Sequence, residues 1–231
     1  MPQAGSGPAM QEIAQGVIEH AASGMQFPLE CGDFTRAEFR QYDAAGLDVS
    51  VAYNSSSPIP PIAVTAYVYP SPPLRSFGSP KSVVDDAKST LALGEFERCK
   101  GEIAKYHPGA RLTSETDFSA PSESRSPKGY LACYTYVENF GGRTGPVESL
   151  LYVYCYVGDI WTIKFRITYS AGVDARPLVD RYLKDLRWTI RGPNQPALQT
   201  PTSGTPAAAS SAEVTEARGA PVAPPPGTAS R

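Results

Sequence analysis

Apolar and polar positions along this chain change period several times, and each change predicts an element. Leu47-Asp48-Val49-Ser50-Val51-Ala52-Tyr53 alternates apolar with polar or small residues, the period of a strand with one buried face. Gly46 marks the turn before it, and Phe34 to Tyr42 is a weaker strand placed to pair with it as a hairpin. Asn54-Ser55-Ser56-Ser57-Pro58 breaks the pattern. Ile62 to Tyr69 restores it, and Pro70-Ser71-Pro72-Pro73 stops it. The period then becomes helical: Val84, Ala87, Leu91, Phe96, Cys99 and Ile103 form one stripe. Pro80 suits a first helical position with Ser79 as its cap, and Asp85 and Asp86 favour the positive end of the helix dipole. His107-Pro108-Gly109 ends the helix, and Gly94 weakens its middle enough to predict a kink. Three strands follow, Tyr130 to Glu138, Glu148 to Val157 and Trp161 to Tyr169. Gly141-Gly142-Arg143-Thr144-Gly145-Pro146 joins the first two, and Gly158-Asp159 turns into the third. A last helix from about Asp174 carries Leu178, Val179, Tyr182, Leu183 and Leu186.

Short connections between strands require antiparallel pairing. The expected fold is therefore α+β, an antiparallel sheet packed by a long central helix and a C-terminal helix. Residues 26–192 form its single domain. Residues 1–25 are an N-terminal arm in which Met10, Ile13, Ala14, Val17, Ile18 and Ala21 fall at helical spacing, predicting a short helix over 10–22 that Ser23-Gly24 ends. From Pro193 to Arg231 the only large apolar side chains are Leu198, Val214 and Val222 among eight prolines, too few to offset the entropy of ordering the segment. That stretch reads as a disordered tail, with Pro224-Pro225-Pro226 as a polyproline II ligand in the alternative.

The element order resembles the PsbP-like fold group, seen in extrinsic photosystem II subunits, a yeast Ran-release factor and small bacterial envelope lipoproteins. The similar features are the hairpin with Val49-Ser50-Val51-Ala52-Tyr53, the strand ending Val68-Tyr69-Pro70, the long helix, and Lys164-Phe165-Arg166-Ile167-Thr168-Tyr169 before the last helix. About two-thirds of the chain is covered, by order and texture rather than by a diagnostic motif. The resemblance implies a binding or accessory protein with no particular partner.

Composition narrows the classes further. The 231 residues carry 21 Lys+Arg against 23 Asp+Glu, so no basic excess exists to neutralise a run of phosphates, and nucleic-acid binding by bulk charge is not expected. No apolar run reaches the length of a membrane span. The first basic side chain is Arg36, so no secretory signal is read at the start and a cytoplasmic protein is expected, or an exported one if the true start lies elsewhere.

Candidate binding chemistry comes from tyrosine. Of the 13 tyrosines, Tyr134, Tyr136, Tyr152, Tyr154 and Tyr156 stand at strand positions of one parity, beside Lys164 and Arg166, and Tyr67 and Tyr69 belong to the same face if their strand joins this sheet. Leu131, Cys133, Thr135 and Val137 occupy the other parity with Leu151, Val153, Cys155 and Val157, and with Trp161, Ile163, Phe165 and Ile167. Those apolar faces are expected to meet the long helix together. The phenol face is then either covered by a second layer or open as a platform for a protein segment or a glycan, since a tyrosine offers an apolar body with a polar tip. The same face matching admits a register with Tyr134 opposite Tyr154 and Cys133 opposite Cys155, within reach of a disulfide. Buried thiols are the alternative reading for Cys31, Cys99, Cys133 and Cys155.

Catalytic and metal chemistry is thin. No cysteine spacing matches a zinc site and no phosphate-binding glycine loop precedes a helix, so no metal or cofactor is expected. His20 falls on the expected N-terminal helix, and His107 at a helix C-terminus reads as a protonated dipole cap. Asp85-Asp86 and Glu95 with Glu97 read as solvated helix positions. The leading expectation is a non-enzymatic binding domain using the tyrosine-bearing sheet face. The alternatives are an enzyme acting through loop Asp, Glu, Tyr and Lys residues, or an interaction protein acting through its Pro-rich tail.

Overall fold

The structure is a computed structural model that describes residues 9–56, 59–75, 78–118, 128–188 and 190–191. The expected tail over 193–231 lies outside them. The described part is an α+β fold of two antiparallel sheets and two helices. Strands β1 (Met10–Ala14), β2 (Val17–His20) and β3 (Gln26–Pro28) make a small sheet. The large sheet holds β4 (Glu30–Cys31), β5 (Phe34–Gln41), β6 (Val49–Ser55), β7 (Ile62–Pro70), β8 (Arg111–Phe118), β9 (Gly129–Phe140), β10 (Arg143–Val157) and β11 (Trp161–Ser170). Their order across it is β4-β5-β6-β7-β11-β10-β9-β8. Helix α1 spans Lys81–Tyr106 and α2 spans Arg176–Asp185.

Segment 10–22 is a hairpin and not a helix. Ala14 pairs with Val17 across a two-residue turn in which Gly16 takes φ +73°, a left-handed conformation that glycine adopts without the Cβ clash other residues meet. Ile13, Val17 and Ile18 are β-branched and lose rotamer freedom in a helix, so the apolar spacing there satisfied both periods while side-chain shape and the turn favoured strands. Gly94 does not break α1, which runs uninterrupted to Tyr106. It begins at Lys81 with no side-chain cap.

Different elements pack on the two faces of the large sheet. One face carries Val49, Val51 and Tyr53 of β6, Val64, Ala66 and Val68 of β7, Ile163, Phe165 and Ile167 of β11, and Leu150, Tyr152 and Tyr154 of β10. The small sheet, through Phe27 and with Met25 in the turn before that strand, and α2, through Val179, Tyr182 and Leu183, close over it. Tyr182 sits edge-on among Phe34, Tyr53 and Phe165, with ring centroids 5.2, 5.3 and 6.2 Å away. The other face carries Ala132, Tyr134 and Tyr136 of β9 and Val147, Leu151, Val153 and Cys155 of β10, packed under Ala92, Phe96, Cys99 and Ile103 of α1.

The register of β9 on β10 sets this division. Tyr134 stands opposite Ser149, Cys133 opposite Leu150 and Leu131 opposite Tyr152, so even positions of β9 share a face with odd positions of β10. The expected register kept like parities together. A one-residue change in register exchanges the two faces of a strand, and β10 is buried on both, so its own sequence does not mark which side faces which layer. Leu151, Val153 and Cys155 meet the long helix as expected, whereas Leu131, Cys133, Trp161, Ile163, Phe165 and Ile167 belong to the opposite side.

The ends of the described chain are tied together. Arg191 and Glu19 form an ion pair at 2.5 Å with side chains 10% and 6% exposed. Arg191 also donates to the Ala21 carbonyl, and its backbone N–H donates to that of Ser23. His20 is fully buried beside them. Its Nδ1 is 2.8 Å from Ser23 Oγ and its Nε2 2.8 Å from the Gly46 carbonyl, and burial lowers its pKa against the opposing pull of that carbonyl. Arg191→Met would strand the Glu19 carboxylate in a nearly dry site, and we expect a loss of about 3–5 kcal/mol in urea unfolding. Adding Glu19→Gln should recover part of it. A loss below about 1 kcal/mol would show that the pair is solvated and does not fasten the hairpin.

Candidate functional site

Helix α1 covers the sheet only over β9 and β10, and a polar trough opens beside it over β7 and β11. Lys164 and Arg166 are two apart on β11 and share a face, and Tyr67 and Tyr69 do the same on β7. Lys164 pairs with Tyr67 across the strands, so the four side chains meet. The Lys164 ammonium lies 4.4 Å from the Tyr67 ring centroid and 5.7 Å from that of Tyr69, a cation–π contact with both. It also reaches Glu102 Oε2 at 3.2 Å.

Two walls stand on this floor. Arg98, Glu102 and Tyr106 recur every fourth residue along one stripe of α1. Arg98 bridges Glu95, at 2.6 Å, and Glu102. The Tyr69 hydroxyl donates to Glu95 Oε1 at 2.7 Å. Burial opposes ionisation of Glu95, but hydrogen bonds from Arg98 and Tyr69 outweigh it and hold its pKa below the usual carboxylate value. On the other side Tyr42 lies over Tyr67 with ring centroids 6.4 Å apart and planes at 23°, and its hydroxyl is 2.9 Å from Ser50 Oγ. The cavity between these walls holds about 430 Å³. A second, of about 240 Å³, shares Tyr42 and Tyr67 and continues over Ser50, Ala52 and Thr65 toward the Glu38–Arg40 pair.

The expected tyrosine platform is thus divided. Tyr67, Tyr69, Lys164 and Arg166 line the trough. Tyr134 and Tyr136 are on the same sheet face but are buried, Tyr136 under the His107 ring at 4.4 Å. Tyr152 and Tyr154 lie on the opposite face in the core. Arg176 donates to the Tyr152 hydroxyl, and Tyr154 packs edge-on against Trp188 at 5.1 Å. Tyr156 leaves the parity altogether: at φ +56° it occupies a bulge between Tyr154 and Val157, pairs with no residue of β11, and donates its hydroxyl to the Pro72 carbonyl. All five tyrosines of β9 and β10 in the expected platform are less than a tenth exposed.

Cys133 and Cys155 stand on opposite faces of the sheet, and no disulfide joins them; all four cysteines are thiols. Burial pushes the thiols of Cys31 and Cys155 up to about 12. Cys99 borders the trough 3.6 Å from Glu95 Oε1, and burial raises its pKa too, so it is a neutral thiol and not a nucleophilic thiolate. Glu95 is buried and paired rather than solvated. Burial, then Arg166, lower the His107 pKa against the pull of Glu138 3.8 Å away, which works against the protonated cap expected there.

Sequence reasoning missed Tyr42, Asp48, Arg98, Glu102 and Tyr106 as lining residues. The fourfold spacing of Arg98, Glu102 and Tyr106 beside the apolar stripe was the available signal for one wall. Among the described residues no helix is long and apolar enough to cross a membrane. No protein-family model, curated protein or solved structure matches the chain. In denaturant without reductant we expect all four cysteines to react with a thiol reagent, and in the native protein Cys31, Cys99 and Cys155 to react slowly. A count of two after denaturation would contradict the observed register.

Proposed function

We propose that this chain is a binding or accessory domain rather than a catalyst, and that it holds a segment of a protein partner in the trough beside α1. The observation that carries this reading is the half-covered sheet face: a trough floored by Tyr67, Lys164, Arg166 and Thr65, with an aromatic and polar wall on each side. Pockets with an apolar or aromatic body and a few fixed polar groups are where ligands bind. The floor residues Ser50, Ala52 and Thr65 are small, which leaves height for an extended chain to lie across the strands.

The polar groups support binding over catalysis. Glu95, Glu102, Arg98 and Lys164 are committed to one another, an arrangement that fixes shape, whereas a general base needs a group free to move a proton. The neutral Cys99 thiol, and histidines that pack elsewhere, point the same way. The PsbP-like resemblance, which rests on the order of strands, long helix, strands and short helix, is to a group whose members are mostly accessory proteins.

A photo-crosslinking residue tests the site directly. Placed at Thr65 or Tyr106 in the full chain and irradiated in the source cells, it should give a discrete protein adduct. The exposed positions Val83 and Val137, outside the trough, should give none. Tyr67→Asp should lower the Thr65 adduct about tenfold, the equivalent of ~1.4 kcal/mol of lost binding. Equal adducts at all four positions, or adducts at the controls alone, would place the interaction elsewhere.

A further inference from the structure

Two charged side chains of the trough form no ion pair among the described residues. Arg98, Lys164 and Glu102 are joined in one network with Glu95, and Glu38 holds Arg40 at 2.8 and 3.1 Å. Arg166 is different. Its Nε donates to Ser149 Oγ at 3.0 Å and its Nη2 to the Tyr136 hydroxyl at 3.2 Å, both neutral acceptors that fix the guanidinium plane without neutralising it. Nη1 receives no acceptor and is not enclosed in the core. A guanidinium held in plane with one edge open is the geometry that takes a carboxylate in two parallel hydrogen bonds. Asp48 is the counterpart: its carboxylate is half-buried in the trough wall and accepts no hydrogen bond among the described residues, and burial and Asp43 act on it against the more distant pull of Lys164 and Arg98, which are themselves held by Glu102 and Glu95.

Their separation follows from the ladder. Val49 stands opposite Val68, which places Asp48 level with Tyr69, and Tyr69 stands opposite Thr162. Arg166 is four residues further along β11 and two strands across. That puts the two α carbons about 16 Å apart, at ~3.3 Å per residue along a strand and ~4.8 Å between strands. Side chains leaning into the trough shorten the gap, so charges on an extended ligand about four residues apart span it. Tyr67 and Tyr42 lie between, as an aromatic bed for the intervening residues.

Resting on the proposed binding role, we infer that the partner segment lies extended in the trough and presents a carboxylate to Arg166 and a cationic side chain to Asp48. The Lys164–Glu102–Arg98–Glu95 network and the Glu38–Arg40 pair are each balanced in charge, so the trough offers one open site of each sign, and a segment carrying only acid or only base satisfies one of them. The recognised feature is the spaced pair of opposite charges, read by charge complementarity more than by apolar contact.

The test uses the full chain and a blocked, fluorescently tagged pentapeptide, acetyl-Glu-Thr-Val-Thr-Lys-amide, chosen for extended backbone. Its binding is followed by polarisation at low salt. Replacing the peptide's Glu with Gln should weaken binding to the wild type about tenfold and leave binding to Arg166→Gln unchanged. Replacing its Lys with Gln should do the same through Asp48→Asn. Arg166→Lys keeps the charge but loses the fork and should fall between wild type and Arg166→Gln; thermal melts confirm that each variant is folded. A doubly neutral peptide that binds the wild type as well as the parent overturns the inference. So does the absence of binding by any peptide; if adducts at Thr65 persist in that case, the trough remains the site and only the charge rule falls.

Discussion

The structure depends on the pairing of β9 with β10 that sets Cys133 against Leu150 and Tyr134 against Ser149. β10 is the strand on which both layers press. Before the bulge at Tyr156, its even residues Leu150, Tyr152 and Tyr154 support α2 and the small sheet, and its odd residues Leu151, Val153 and Cys155 support α1. A shift by one residue would send Leu151 and Val153 toward α2, and Tyr152 and Tyr154 toward α1. Each core would then lose its complementary shapes at once. The pairing is enforced from both sides, by Phe96 and Ile103 on one and by Tyr182 and Trp188 on the other.

That constraint also produces the trough. A helix of 26 residues lies over β9 and β10, where Val147, Leu151, Val153 and Cys155 of β10 present an apolar surface. Beyond them the same face turns polar, with Lys164, Arg166 and Thr168 on β11 and Thr65, Tyr67 and Tyr69 on β7. No apolar stripe on α1 could be satisfied there, so the sheet is left half covered. The edge of α1 then supplies a charged wall instead of a seal. The proposed binding role uses the surface that the core had no means to close.

Much of this was legible in the alternation of single strands. β6, β7 and β11 each have one aliphatic face, so parity alone gathers Tyr67, Tyr69, Lys164 and Arg166 on one surface. β10 could not be read in that way, because Tyr152 and Tyr154 are core residues whose bulk and hydroxyls suit either a surface or an interior. The Arg176 hydrogen bond to Tyr152 shows how the interior accepts one of them. β8 went unseen because it is an exposed edge strand, and Leu112-Thr113-Ser114-Glu115-Thr116 carries no buried face to impose alternation. The hairpin at 10–20 was hidden by the opposite accident, apolar positions that fit two periods.

The face assignment of β10 is best tested by nuclear Overhauser contacts between aromatic rings in solution. The account predicts contacts between Tyr154 and Trp188, whose ring centroids are 5.1 Å apart, and between Phe96 and Tyr130, also at 5.1 Å. Contacts from Tyr154 or Tyr152 to Phe96 would mean that β10 faces the other way. The division of the sheet into a sealed side and a half-open side would then be wrong.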